Sequence, residues 1–231
     1  MNGDIFPEVV FRLGPVTVTD TVVYTWIVLA VLFAVCALAT RRLRRDPGPV
    51  QTALEGVVEA IDAAVTAVLP QRTPGVTPLI GSLWVFLVVS NLLGIVPGLH
   101  SPTRDLSATA ALAALVFASV HYFGLRSEGA LAYLRHYLKP NPILLPFHVI
   151  GEITRTVALA VRLFGNMMSL ELTAVLVLLV AGILAPVPIL MLHIVEALVQ
   201  AYIFGMLALI YIAGGIQSQQ EKQQETQKEA Q

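Results

Sequence analysis

Long uninterrupted apolar runs dominate the order of hydrophobic and polar positions in this chain. The runs at residues 21–40, 79–97 and 106–125 are each about 20 residues long, enough for a helix rising about 1.5 Å per residue to cross a ~30 Å hydrocarbon core. Residues 143–184 are longer, and suit either one strongly tilted helix or an interfacial part followed by a span. A last run occupies residues 188–216, which brings the expected crossings to five.

Residues 50–69 follow a different pattern. Leu54, Val57, Val58, Ile61, Val65 and Val68 form one helical stripe, and Glu55, Glu59 and Asp62 form another. A helix with a charged face does not span; it lies on the membrane surface. Residues 217–231 are rich in Gln, Glu and Lys and are expected to form a frayed helix or a disordered polar tail. The expected fold class is therefore all-α. It is a single polytopic membrane domain over residues 1–231, with one amphipathic surface helix and long, tilted last helices.

Composition supports lipid as the solvent. Hydrophobic residues make up 56% and charged residues 13% of the chain, against roughly half and a quarter in soluble domains. Mean hydropathy is +0.77. The net charge of −1 supplies no basic field for nucleic acid. The single cysteine, Cys36, lies in an apolar run, can form no intrachain disulfide and reads as a small hydrophobe.

The run at 21–40 lacks a basic leader and a small-residue cleavage site, and it ends in Arg41, Arg42, Arg44 and Arg45. It reads as a retained span rather than a signal peptide. Those arginines, with Arg72, Arg126, Arg135, Lys139, Lys222 and Lys228, fall on one side of the expected topology; Arg104 and Arg12 fall on the other. The positive-inside bias orients the N-terminus outside and the C-terminus in the cytoplasm.

Ionisable groups at membrane depth cost roughly 2.5–3.5 kcal/mol each on insertion scales and point to function. Here they gather in two segments. Arg162 is deeply flanked by apolar residues, too far from either end to snorkel. At about 100° per residue, Asn166 and Ser169 share its face, whereas Glu171 is about 180° round and cannot pair with it. In the second segment, His193, Glu196 and Gln200 occupy one stripe. Two apolar helices that each carry a polar stripe imply an aqueous or protein-facing seam.

Arg-Leu-Phe-Gly-Asn-Met at 162–167, an acid at 171, His-x6-Gln at 193–200 and Ala-Tyr-Ile-Phe at 201–204 together resemble subunit a of the bacterial F-type ATP synthase. Pro102-Thr103-x-Asp105-Leu106 and Asn91-Leu92-x-Gly94-x-x-Pro97 are weaker matches to the same family. The resemblance covers about residues 79–216. It implies a stator subunit that supplies two offset half-channels to a rotating ring of c subunits, in a bacterial plasma (inner) membrane. It also implies contact with the b subunits of the peripheral stalk and, indirectly, with the soluble F1 sector, without a cofactor or bond-making chemistry in this chain.

On that resemblance Arg162 is the fixed cation between the half-channels, Asn166 and Gln200 support it, and Glu171 and His193 form the outer relay. A guanidinium stays charged at any relevant pH, so it can attract an ionised ring carboxylate and block a direct leak. Glu196 is an additional acid that suits either a second relay group or an oxygen ligand for Na⁺. On the inner side Glu152, Arg155 and His148 share a face, read as a solvated interfacial face ahead of a relay. A straight hairpin turning near Pro186 puts Arg162 level with about Tyr211 rather than Gln200, a mismatch of ~15 Å.

Two other classes fit poorly. His193-x-x-Glu196, even with His148-x-x-x-Glu152, lacks the second histidine of a zinc-protease signature, which weighs against an intramembrane metal enzyme. A solute transporter would be expected to show inverted repeats or paired broken helices, and the sequence has neither.

Overall fold

A computed structural model describes residues 9–13, 16–41, 48–70, 73–96, 99–128, 145–182 and 187–229. For Leu13, Val16, Ser127, Glu128, Leu145, His148 and residues 217–229 only the backbone is described. The described residues begin with an antiparallel strand pair, β1 (Val9–Leu13) and β2 (Val16–Thr19), a small addition to the expected all-helical architecture. Helix α1 (Asp20–Thr40) follows directly, with Asp20 in its first turn, where a carboxylate complements the exposed amides and the helix dipole.

Five helices are long and apolar enough to cross a membrane. They are α1, α3 (Val76–Leu93), α4 (Leu106–Glu128), α5 (Leu145–Ala181) and α6 (Val187–Glu229). The amphipathic α2 (Pro49–Val68) starts with proline in its first turn, where a missing N–H costs nothing. Ile61, Val65 and Val68 on its apolar stripe join the core beside α3, so that stripe is partly covered by protein as well as free to face lipid.

The helix boundaries choose among the expected alternatives, and one of them falls short. Helix α3 ends at Leu93 instead of reaching residue 97. Beyond it, Ile95 and Val96 donate to Leu92 and Leu93, tighter turns that bring the chain round to a 3₁₀ helix at Pro102–Arg104. Helix α5 is continuous from Leu145 to Ala181, so the long fourth region is one helix and not an interfacial part plus a span. Helix α6 continues through the polar tail to Glu229, because Gln, Glu and Lys are good helix formers even without an apolar face.

The core lies among α3, α4, α5 and α6. Ile80, Trp84 and Leu87 meet Phe204, Leu209 and Ile212, with Leu163, Met167, Val116 and Phe123 closing the sides. Gly205 permits the closest approach: a Cβ there would overlap the Trp84 indole. Trp84 donates from Nε1 to the Tyr202 carbonyl at 3.3 Å and stacks on the Tyr202 ring. Helix α1, by contrast, buries only Thr21 and Val28, and an apolar cavity of about 310 Å³ separates its Thr21, Thr25 and Trp26 from Leu112 and Leu115 of α4.

Candidate functional site: a polar path across the helix bundle

Arg162 lies near the middle of α5, on a face that the rest of the bundle leaves uncovered. Leu159, Ala160, Leu163, Met167 and Leu170 point into the core, whereas Ala158, Val161, Arg162, Gly165 and Ser169 are exposed. Among the described residues Arg162 makes no hydrogen bond or ion pair. The small side chains at 158, 165 and 169 give its guanidinium clearance on both sides. A charged side chain within a span is costly in lipid, which marks Arg162 as the candidate functional residue.

Asn166 and Gln200 meet directly, which the depth mismatch expected from a turn near Pro186 did not foresee. Asn166 Nδ2 donates to Gln200 Oε1 at 2.8 Å, while Gln200 Nε2 is buried without a partner. Further along the same seam, Arg155 Cζ lies 5.9 Å from the centroid of the Tyr211 ring. Residues 166 and 200 share their midpoint with 155 and 211, so the two helices keep one antiparallel register. That register sets Arg162 opposite Phe204, one helical turn or about 6 Å from the level of Gln200. The expected ~15 Å mismatch arose from placing the turn near Pro186; the true centre lies a few residues earlier, close to Gly182, whose φ of +79° lets the chain leave α5.

Glu171, His193 and Glu196 converge at the end of the bundle where α1 begins. His193 is 1% exposed, has both carboxylates and the Asn91 backbone as electrostatic neighbours, and keeps Nε2 buried without a hydrogen-bond partner. Glu171 is not free. Its Oε2 lies 3.3 Å from Arg104 Nη1, and its Oε1 accepts from the Ser101 backbone N–H at 3.4 Å. A Cβ at Gly94 would press on Glu171 Oε1 at 3.2 Å, so glycine there makes room for the carboxylate. Arg104 also reaches Asp20 Oδ2 at 3.6 Å, and Thr21 donates to Asp105 Oδ2 at 3.0 Å.

Beneath this cluster lies a buried hydroxyl and amide network. Thr103 Oγ1 donates to Asn91 Oδ1 at 2.7 Å, and Asn91 Nδ2 donates to the Ala197 carbonyl at 3.3 Å. Ser101 Oγ bonds both Thr103 Oγ1 and the Ser90 carbonyl. The network fastens the turn after α3 to the His193–Gln200 segment of α6. Sequence reasoning took Asn91 and Thr103 only as family matches and Arg104 only as a stray loop charge. The available signal was the charge of Arg104, which with Arg12 makes up the Lys and Arg expected on that side.

At the opposite end, Glu152 pairs with His121 of α4, Nε2 to Oε2 at 3.4 Å. Of the face expected to hold Glu152, Arg155 and His148, Glu152 lies against α4 and Arg155 beside the Tyr211 ring. The His148 side chain lies outside the described residues. No group of three or more His, Cys, Asp or Glu able to hold a metal occurs among the described residues.

Among the described residues, five helices long and apolar enough to cross a membrane, with charged and titratable side chains at both ends and in the middle of the bundle, define a multi-pass membrane protein. Comparison with known proteins is specific: residues 22–213 match the ATP synthase A chain family. ATP synthase subunit a 2 of Pelobacter propionicus is 65% identical over 91% of this chain and 92% of that protein. ATP synthase subunit a 1 of Hahella chejuensis is 58% identical, covering 96% and 94%, and the subunit a of Legionella pneumophila strain Philadelphia 1 is 53% identical, covering 93% and 94%. The chain belongs to the ATP synthase A chain family.

Proposed function

We propose that this chain is the ion-translocating stator subunit of the ATP synthase membrane sector, with Arg162 as the gate between two half-channels. The carrying observation is the exposed Arg162 on α5 with no partner among the described residues, lying between two sets of titratable groups. Glu171 is about 13.5 Å along the axis to one side and Glu152 about 15 Å to the other. The counter-ion is the passing carboxylate of a c-subunit ring seated on the uncovered α5 face. The guanidinium attracts that carboxylate in its ionised form, promotes loss of its ion, and repels any cation attempting to pass directly.

In this reading Glu171, His193 and Glu196 serve the outer half-channel, and Asn166 and Gln200 hold the seam beside the gate. Arg104 orients Glu171, which leaves His193 Nε2 and Glu196 as the groups facing the path. The chain itself makes and breaks no covalent bond; it couples ion flow to ring rotation, and so to ATP synthesis or hydrolysis in the soluble sector. The b subunits anchor it as stator in a bacterial plasma membrane, with the N-terminus outside and the C-terminus in the cytoplasm.

Arg162→Ala and Arg162→Lys should each abolish ATP-driven ion uptake by inside-out vesicles while the subunit remains inserted and assembled. Normal uptake by either variant would sink the gate. Uptake by the unaltered complex with and without Na⁺ identifies the passenger, since a strict Na⁺ requirement assigns Glu196 to cation ligation and Na⁺ independence assigns it to the proton relay.

A further inference from the structure

The cavity between α1 and α4 takes no part in the charged clusters. It holds about 310 Å³ and is bounded by Thr21, Thr25 and Trp26 of α1, Phe86 of α3, Thr103, and Leu115 of α4. Its threonines are polar in sequence, yet their hydroxyl hydrogens are turned away from it. Thr21 donates to Asp105 Oδ2 at 3.0 Å, Thr25 to the Thr21 carbonyl at 2.8 Å and Thr103 to Asn91 Oδ1 at 2.7 Å. Among the described residues, the buried side-chain atoms without a partner belong to Ser90, His193 and Gln200, none of which lines this space. A buried water needs about two to four polar partners, so water gains nothing here and an apolar occupant does.

Position and shape narrow the occupant further. The cavity lies beside the first turns of α1 and of α4, just inside the charged residues Asp20 and Asp105, which is the depth of the lipid tails of one leaflet. Trp26, Ala111 and Leu115 on its lining are exposed, so it opens sideways toward lipid. A helix about 10 Å across, running the ~12 Å from Ser107 to Leu115, would need on the order of 1,000 Å³. The space is too narrow for a helix and suits a single hydrocarbon chain. Toward the helix starts the lining turns polar, with Ser107 exposed. Arg12, exposed on β1 opposite Thr17, adds a cation beyond the start of α1. Apolar within and cationic beyond the mouth is the order of a phospholipid from tail to phosphate.

We infer that this cavity binds one acyl chain of a phospholipid, with the phosphate at the Ser107 and Arg12 end. The chain supplies dispersion contacts that α1 otherwise lacks, since α1 buries only Thr21 and Val28. It packs α1 against α4 as a core side chain would. The site is independent of the Arg162 gate.

The test reconstitutes the full complex in liposomes with a trace of phosphatidylglycerol carrying a diazirine in mid-chain, and maps the cross-links by peptide mass spectrometry. Phe33 of α1, 78% exposed and outside the cavity, reports bulk lipid. After a detergent wash that exchanges bulk lipid, cross-links to Phe86 and Leu115 should persist while those to Phe33 are lost. Ala111→Phe, which puts a ring into the cavity, should abolish the retained cross-links. Ala111→Leu, a smaller filler that assembles more readily, should reduce them. Labelling of Phe33 before the wash should be unchanged in both. Cross-links to Phe86 that wash out as fast as those to Phe33, or that persist in both variants, overturn the site. Equal or better retention of a labelled free fatty acid or diacylglycerol also overturns it, because the phosphate would then contribute nothing.

Discussion

Asn166 donates its side-chain amide to Gln200 at 2.8 Å, and this bond joins the helix that carries Arg162 to the helix that carries His193. It fixes the relative depth of the two polar segments. A side-chain hydrogen bond contributes about 0.5–1.5 kcal/mol, so loss of either partner should slow transport by up to about tenfold if the bond holds the gate in register. Asn166→Leu, Gln200→Leu and the double variant, compared for ATP-driven uptake, should show losses that do not add. Additive losses would show that the two side chains act separately.

Arg104 bridges Glu171 and Asp20, at 3.3 and 3.6 Å. Removing it leaves two carboxylates near each other with their shared counter-charge gone. Arg104→Ala should lower the thermal stability of the assembled subunit by roughly 1–3 kcal/mol and reduce uptake, whereas Arg104→Lys should retain most of both. Thermal aggregation of the solubilised complex, followed by fluorescence, gives the comparison. An unchanged midpoint for the alanine variant would show that the bridge contributes nothing to the fold.

Gly205 lies under the Trp84 indole with no room for a methyl group. Gly205→Ala should force α3 and α6 apart at a cost of about 1–3 kcal/mol for overpacking, lowering the amount of protease-resistant protein in the membrane. Trp84→Leu in the same chain should recover much of that loss. A single Gly205→Ala variant that accumulates normally contradicts this packing.

The proposed orientation can be read with cysteine labelling, since Cys36 is the only native cysteine. In a Cys36→Ser background, Asn2→Cys should react with an impermeant maleimide added to spheroplasts. Thr226→Cys should react only after the membrane is opened. The reverse pattern inverts the topology and exchanges the inner and outer assignments of the titratable groups.

The sequence alone specified the number of spans, the amphipathic α2 and the residue types of the proposed gate, for a local reason. A bilayer requires about 20 apolar residues per crossing and penalises every charge within them, so spans and exceptions are both written along the chain. That Asn166 and Gln200 are hydrogen-bonded to each other was not legible, because the depth of one helix against the other leaves no mark in either polar stripe; the sequence offered them only as neighbours of Arg162 through the family resemblance. Nor did it decide between a helical and a disordered tail, where α6 runs to Glu229, because propensity without an apolar face leaves no periodic mark.

What only the tertiary structure decided is which charge meets which. Arg104 with Glu171 spans a separation of 67 residues in sequence, and Asn91 reaches Ala197 across 106; such contacts depend on how far each helix slides and turns against its neighbour. The register of α5 on α6 likewise follows from where the chain turns, near Gly182, and from the Asn166–Gln200 bond, while Trp84 on Gly205 sets α3 against α6. Side-chain periodicity is a property of a single helix, whereas depth and pairing belong to the packed bundle. That is why the sequence could name Arg162 but only the fold could show it exposed on an uncovered face, with one titratable cluster on either side.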